Sequence, residues 1–152
     1  MAIPLTAVGT KIGPLTSTVE RGRLAFFAKA IGEIDPVYSD IEAARAAGHP
    51  DLPVPPTFMF GLLLETPDPF AWLTDIGVDL RLVLHGSQSF TYHAPAHAGD
   101  ELTVLSEITD VYAKKGGALE FVVRRTKVTR GQDPVATLTE TLVVRHPVEA
   151  AA

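Results

Sequence analysis

Apolar residues recur in the first third of the chain at a helical spacing. Leu24, Phe27, Ala28 and Ile31 stand at i, i+3, i+4 and i+7, with Gly32 behind them as a stop. This predicts a helix from about Glu20 to Ile31. Ser39 and Glu42 read as an S-x-x-E capping box with Gly48 as the residue after the helix, so a short second helix is expected between them. Phe58 to Leu64 is apolar on nearly every side, the mark of a helix buried all round. Pro67 and Pro69 interrupt it, and Asp68 with Pro69 forms an N-cap and N1 pair for a further helical segment from Pro69 to Asp75.

After Gly77 the period changes. Leu80–His93, Glu101–Val111, Leu119–Thr129 and Val135–Arg145 are rich in Val, Thr, Phe and Leu, and each reads as a strand. Leu102, Val104, Ser106 and Ile108 fall on one face, and Phe90 and Tyr92 alternate with Ser89, Thr91 and His93. Lys115-Gly116-Gly117 and Gly131-Gln132-Asp133-Pro134 are turn chemistry between consecutive strands and call for antiparallel pairing. A fifth strand is expected around Gly13 to Val19. The order predicts an α+β fold: a strongly curved antiparallel sheet of about five strands wrapped around a central apolar helix. One sheet cannot enclose such a helix alone and leaves an unpaired edge, so a dimer, homo or hetero, is expected.

Composition narrows the class. The chain has 152 residues, 46% of them hydrophobic, and a formal net charge of −5, which suits one domain across residues 1–152 with residues 146–152 as a mobile tail. The absence of cysteine excludes a disulfide framework, a thiolate metal site and a cysteine nucleophile. Histidines, polar residues and Pro95 break up the uncharged stretch Leu82–Gly99, so no membrane helix is expected there, and Met1–Leu5 lacks the features of a secretory signal. A cytoplasmic protein is the expectation. The acidic total argues against a nucleic-acid groove. Lys114, Lys115, Arg124, Arg125, Lys127 and Arg130 nevertheless supply six of the thirteen basic residues, opposed locally only by Glu120. They read as the solvent face of a hairpin or as a local site for a phosphorylated cofactor or an acidic carrier protein.

The run Ala30-Ile31-Gly32-Glu33-Ile34-Asp35-Pro36-Val37-Tyr38-Ser39-Asp40 resembles the MaoC-like, (R)-specific enoyl-thioester hydratases and dehydratases, and more narrowly the FAS1-like dehydratase N-terminal group. The resemblance continues through Glu42-Ala43-Ala44-Arg45, Pro55-Pro56-Thr57-Phe58, Leu84 to Tyr92 and Pro95 to Asp100, and covers roughly Gly13 to Arg145. It implies the hotdog fold, in agreement with the pattern of elements, and substrates that are acyl groups on coenzyme A or acyl carrier protein. Catalytic members carry Gly-Asp-x-Asn-Pro-x-His, whose Asp and His hold a water against the double bond. The matching positions here are Gly32, Glu33, Asp35, Pro36 and Tyr38, so both catalytic side chains differ. That departure resembles the substrate-binding subunit of a two-subunit dehydratase.

Hydrating a 2-enoyl thioester needs a base for water, an acid for the α carbon and donors for the developing oxyanion. Glu33 is the candidate base, or else a turn residue. Asp35 is a substrate-side residue or a cap of the backbone beside Pro36. Tyr38, whose reference pKa of about 10 keeps it protonated near neutrality, suits a pocket wall better than a proton shuttle. His85 is the candidate replacement for the lost histidine, with Gly86 and Gln88 beside it, or else a histidine satisfied within the sheet. Pro56, Thr57 and Phe58 are candidate substrate contacts, because the buried helix starting there would offer free N–H groups to an oxyanion. The apolar run Phe58–Leu64, with Phe70 and Trp72, is either filled core or the wall of an acyl tunnel. His93 and His97, near Asp100, show no metal spacing, His49 reads as loop and His146 as tail. No cofactor and no metal are expected. The leading function is acyl-thioester binding with hydratase or dehydratase chemistry. The alternatives are a hotdog thioesterase and a non-catalytic acyl-binding scaffold.

Overall fold

The computed structural model describes residues 3–147. Five strands form one antiparallel sheet: β1 (Lys11–Thr18), β2 (Val83–Tyr92), β3 (Glu101–Lys114), β4 (Leu119–Arg130) and β5 (Asp133–Arg145). Their order is β1-β3-β4-β5-β2, so β3, β4 and β5 make a meander closed by the two predicted turns, and β1 and β2 are the edges. The edges differ. Each edge strand carries a register shift, between Ile12 and Leu15 in β1 and between His85 and Ser87 in β2, but β1 also contains Pro14, which discourages a further strand, whereas β2 has neither proline nor an acidic or basic side chain other than His85. Leu84 on β2 is 54% exposed.

Helix α1 (Arg21–Ala30) buries Leu24 and Ala28 against the sheet, while Ile31 lies just past its end and is exposed. Helix α2 (Ile41–Ala46) begins one residue later than the capping box implies. Asp40, not Ser39, accepts the N–H groups of Glu42 and Ala43 at 2.8 and 3.3 Å, because its carboxylate already lies over the first turn. Its C-terminus is as expected: Gly48 takes φ +91°, its N–H meets the Arg45 carbonyl and the His49 N–H meets that of Ala44, each at 3.0 Å. Helix α3 (Ala71–Asp75) starts two residues after Pro69, with Asp68 accepting from the Phe70 N–H.

The central apolar segment departs from the expected helix. Phe58–Leu64 winds as seven residues of 3₁₀-helix, with Phe58, Met59, Leu62 and Leu63 buried and Leu64 42% exposed. Pro55-Pro56 and Pro67 flank the segment and Gly61 interrupts it, all unfavourable to a continuous α-helix.

The core is divided. One apolar cluster gathers Leu24, Phe58, Met59, Leu62, Leu102, Val128 and Leu138, and a second gathers Trp72, Leu73, Ile108, Val111, Val122 and Leu142. Between them the inner face of the sheet is polar: Ser106 on β3, Arg124 and Thr126 on β4, and Glu140 on β5, all buried. The basic segment is therefore not one solvent face. Arg125 and Lys127 are exposed, but Arg124 points inward, and Glu120 does not oppose the cations because it is wholly buried. His146 is not part of a free tail: its Nε2 sits 2.6 Å from Glu120 Oε2, and its N–H bonds the Ala118 carbonyl. The remainder of the predicted tail, residues 148–152, lies outside the described residues. No helix among the described residues is long and apolar enough to cross a membrane.

Candidate functional site

The alternation of the strands lines up a charged row on the inner face. Arg124 pairs across the β4–β5 ladder with Glu140, and Glu140 pairs across the β5–β2 ladder with Gln88. The Arg124 guanidinium donates through Nη2 to Glu140 Oε2 and lies 4.7 Å from the centroid of the Trp72 ring, a cation–π stack. The other carboxylate oxygen of Glu140 is 3.3 Å from His85 Nε2. Glu140 and Arg124 are almost wholly inaccessible, whereas the His85 side chain is 48% exposed and meets the edge of Phe60 at 5.7 Å. Taking an ion pair out of water costs several kcal/mol per ion unless the pairing is excellent, so this row is an expense that stability alone does not explain. The row ends with the His85 imidazole Nε2 3.3 Å from a buried carboxylate oxygen.

A bulge positions this histidine. The β2–β5 register shifts between His85 and Ser87, and a Cβ built on Gly86 would lie 2.8 Å from the Thr141 carbonyl oxygen and 2.9 Å from Val143 Cγ2, so only glycine fits. Gln88 donates from Nε2 to the carbonyls of Ser89 and Thr139, and its Oε1 is buried without a partner among the described residues.

The loop that carries the family resemblance is built differently. Glu33 is exposed, and its Oε1 accepts the N–H groups of Ile34 and Asp35, each at 2.9 Å, so this carboxylate staples its own turn. Asp35 accepts from the Val37 N–H at 3.0 Å and starts the 3₁₀ turn Pro36–Tyr38, the capping role weighed for it. Tyr38 is half-buried. Among the described residues no hydrogen bond or ion pair joins Glu33, Asp35 or Tyr38 to His85 or Gln88. The oxyanion donors expected at the head of the central helix are also altered. The Phe58 N–H is spent on the Pro55 carbonyl at 3.0 Å, Thr57 is exposed and caps nothing, and the Pro56 carbonyl accepts the Tyr92 hydroxyl at 2.7 Å. Burial pushes that Tyr92 phenol up. Phe58 itself is core, edge-on to Phe27 at 5.5 Å.

The remaining histidines hold loops together. His49 Nδ1 and His97 Nε2 are 3.1 Å apart; burial foremost, and then the neighbouring His49, hold the His97 imidazole below its usual range. Arg130 bonds Asp100 at 2.7 Å, and Asp100 in turn accepts the His97 N–H. No group of three metal-ligating side chains occurs among the described residues. The sequence reading missed Arg124, Glu140 and Trp72 as a unit. The signal was present: Glu140 stands in the inward file Ala136, Leu138, Leu142, Val144, where a lone charge requires a partner.

The model of the family described as "FAS1-like, dehydratase domain region" matches residues 6–138. The chain belongs to this family. A UPF0336 protein of Streptomyces coelicolor is 36% identical over 152 residues, covering 99% of this chain and all of the relative. Among solved structures, the HadBC (3R)-hydroxyacyl-ACP dehydratase complex of Mycobacterium tuberculosis aligns with a TM-score of 0.74 at 25% identity, over 90% of this chain and 96% of that one. A MaoC-like dehydratase aligns with a TM-score of 0.78 at 23% identity, over 91% of this chain but 42% of its own length, a likeness of fold. The fold is thus that of the hotdog dehydratases and hydratases, as the resemblance implied.

Proposed function

We propose that this FAS1-like dehydratase protein is the acyl-thioester-binding subunit of an (R)-3-hydroxyacyl-thioester dehydratase or 2-enoyl-thioester hydratase, paired through β2 with a second hotdog chain that supplies the acid–base pair. The observation that carries this reading is the state of Glu33. Its carboxylate is committed to two N–H groups of its own loop, and Tyr38 stands where a proton-shuttling histidine is needed. In hydration the water oxygen bonds to the β carbon, a base takes the water proton, and an acid protonates the α carbon while charge passes through the thioester oxygen. A stapled carboxylate and a phenol do not provide that cycle. The β2 edge, free of proline and of acidic residues, lysine and arginine, suits a partner chain, identical or related, and the thioester is carried on coenzyme A or on an acyl carrier protein.

The His85–Glu140 contact favours a second reading, in which this chain is itself catalytic and His85 moves the proton while Glu140 orients it. Incubating the purified chain alone with crotonyl-coenzyme A separates the two. The expected result is saturable binding with neither loss of enoyl absorbance nor release of thiol. Turnover alone at roughly 1 per second or faster, an ordinary enzymatic rate, would overturn the first reading and establish the second. Thiol release without hydration would assign a thioesterase.

A further inference from the structure

The outer face of the sheet is divided as sharply as its core. Over most of its length the outward positions are polar, among them Glu107, Arg125, Lys127, Thr137 and Thr139, as expected of an antiparallel sheet with one wet face. Toward one end the character reverses. Tyr112 on β3 stands beside Phe121 on β4, Phe121 beside Val143 on β5, and Val143 beside Leu84 on β2, so one apolar row crosses four strands. Leu119 and Val123 flank Phe121 along β4. The Tyr112 and Phe121 rings stack with centroids 4.7 Å apart. Leu84 is exposed, the other five are half-buried, and none belongs to either core cluster. A contiguous apolar patch on an otherwise polar face marks a surface that something covers.

The charges around the row specify the occupant. The outward file of β3 reads Asp110, Tyr112, Lys114, an acid and a base at equal steps on either side of the row. Four residues of extended strand separate them by about 13 Å, too far to pair within one chain. Lys114 instead lies over the two rings, its Nζ 5.5 Å from the Tyr112 centroid and 5.3 Å from that of Phe121. A second copy turned about a two-fold axis along the row sets Lys114 over the second copy's Asp110, and Asp110 over the second copy's Lys114. The same rotation sets Leu119 over Val123, Phe121 over Phe121, and Arg145 over Thr141, so the patch is complementary to itself. At the rim, Lys115 faces the mixed row of Glu107 and Arg125, and Arg81 is held by Asp79 at 2.6 Å. A wholly acidic partner would leave Asp110 opposed. We propose that two copies of this chain pack back to back through this patch, independently of any pairing through β2. Four strands about 4.8 Å apart and three outward rows about 6.8 Å apart give a flat footprint of roughly 400 Å² per copy, so the association is expected to be weak, in the micromolar range.

Sedimentation velocity of the full chain at tens of micromolar tests this. The parent is expected at twice the mass of Phe121→Lys: four chains against two if β2 also joins identical chains, two against one if it does not. Lys114→Glu and Asp110→Lys, each alone, should weaken the association roughly tenfold, since both symmetry-related ion pairs become like-charge contacts. An equimolar mixture of these two variants should recover the parental association, because unlike chains then oppose opposite charges at both contacts. Lys114 and Asp110 are exposed, so these variants remain informative should Phe121→Lys fail to fold. The proposal is overturned if the parent and a folded Phe121→Lys chain sediment alike, or if the mixture associates no better than either variant by itself. Pairing through β2 survives either result, because the patch variants leave that edge untouched.

Discussion

Glu33 and Glu140 show two uses of one side chain. Glu33 lies in the loop that carries the family motif, exposed to solvent, and its carboxylate closes a turn by accepting two N–H groups of its own loop. Glu140 lies in a strand with no recognisable motif, 4% exposed, bonded to Arg124 and facing His85. Resemblance directs attention to the first, whereas electrostatics directs it to the second. A motif position retains its place in the fold after its chemistry has changed. A buried charge persists only while its surroundings hold it, so it is the better guide to what this chain maintains.

The sharpest test of that contrast is Glu140→Ala, which strands the Arg124 guanidinium inside the core. Urea unfolding followed by circular dichroism should show a loss of about 3–5 kcal/mol, and the double replacement Arg124→Met/Glu140→Leu should recover most of it. A loss below about 1 kcal/mol would mean that the row is solvated and the contrast false. Gly86→Ala comes next. Its Cβ would collide with the Thr141 carbonyl, and a loss of roughly 1–3 kcal/mol is expected, together with a changed amide environment for His85 by NMR. A smaller effect concerns pH. The folded His97 imidazole is held below its usual value, so folding favours its neutral form. Its contribution is fully present above the unfolded value of about 6.5 and is lost as pH falls from there through the lower folded value. His97→Asn should flatten the stability profile in that window and leave it unchanged above pH 7.5. The smallest effect is expected of Glu33→Gln, which keeps an accepting oxygen on the turn. Stability should move by less than about 0.5 kcal/mol, and any hydratase rate of an assembled complex should stay within twofold. A hundredfold fall in that rate would make Glu33 catalytic and reverse the comparison.

The strands were legible because alternation over ten or more residues leaves little freedom in which face is buried. Leu102, Val104, Ser106 and Ile108 are buried together as their spacing implies. Helix ends were less legible, since Ser39 and Asp40 are both good caps and only the chain path selects the second. The central segment misled because apolarity reports burial, not helix type, and the flanking prolines had more influence than its composition. Arg124 was hidden by its neighbours. Beside Arg125 and Lys127 it reads as one more surface cation, yet it is in phase with Val122, Thr126 and Val128. At the site, the identities of Glu33, Asp35 and Tyr38 were visible, but their use depends on hydrogen bonds that no spacing encodes.

The sheet order has a consequence for how the chain reaches its native state. The meander β3–β4–β5 is joined by tight turns, whereas β1 must find β3 across most of the chain, Lys11 beside Glu107, and β2 must find β5 across an intervening hairpin. Contacts between neighbours in sequence form first because their loops close with less loss of entropy. Pulsed-labelling hydrogen exchange should therefore show the amides of β3, β4 and β5 protected before those of β1 and β2. Until β2 docks, β5 offers an open ladder on which a foreign strand could add. The chain thus has its greatest exposure to mispairing in the interval before the strand proposed to meet its partner is in place.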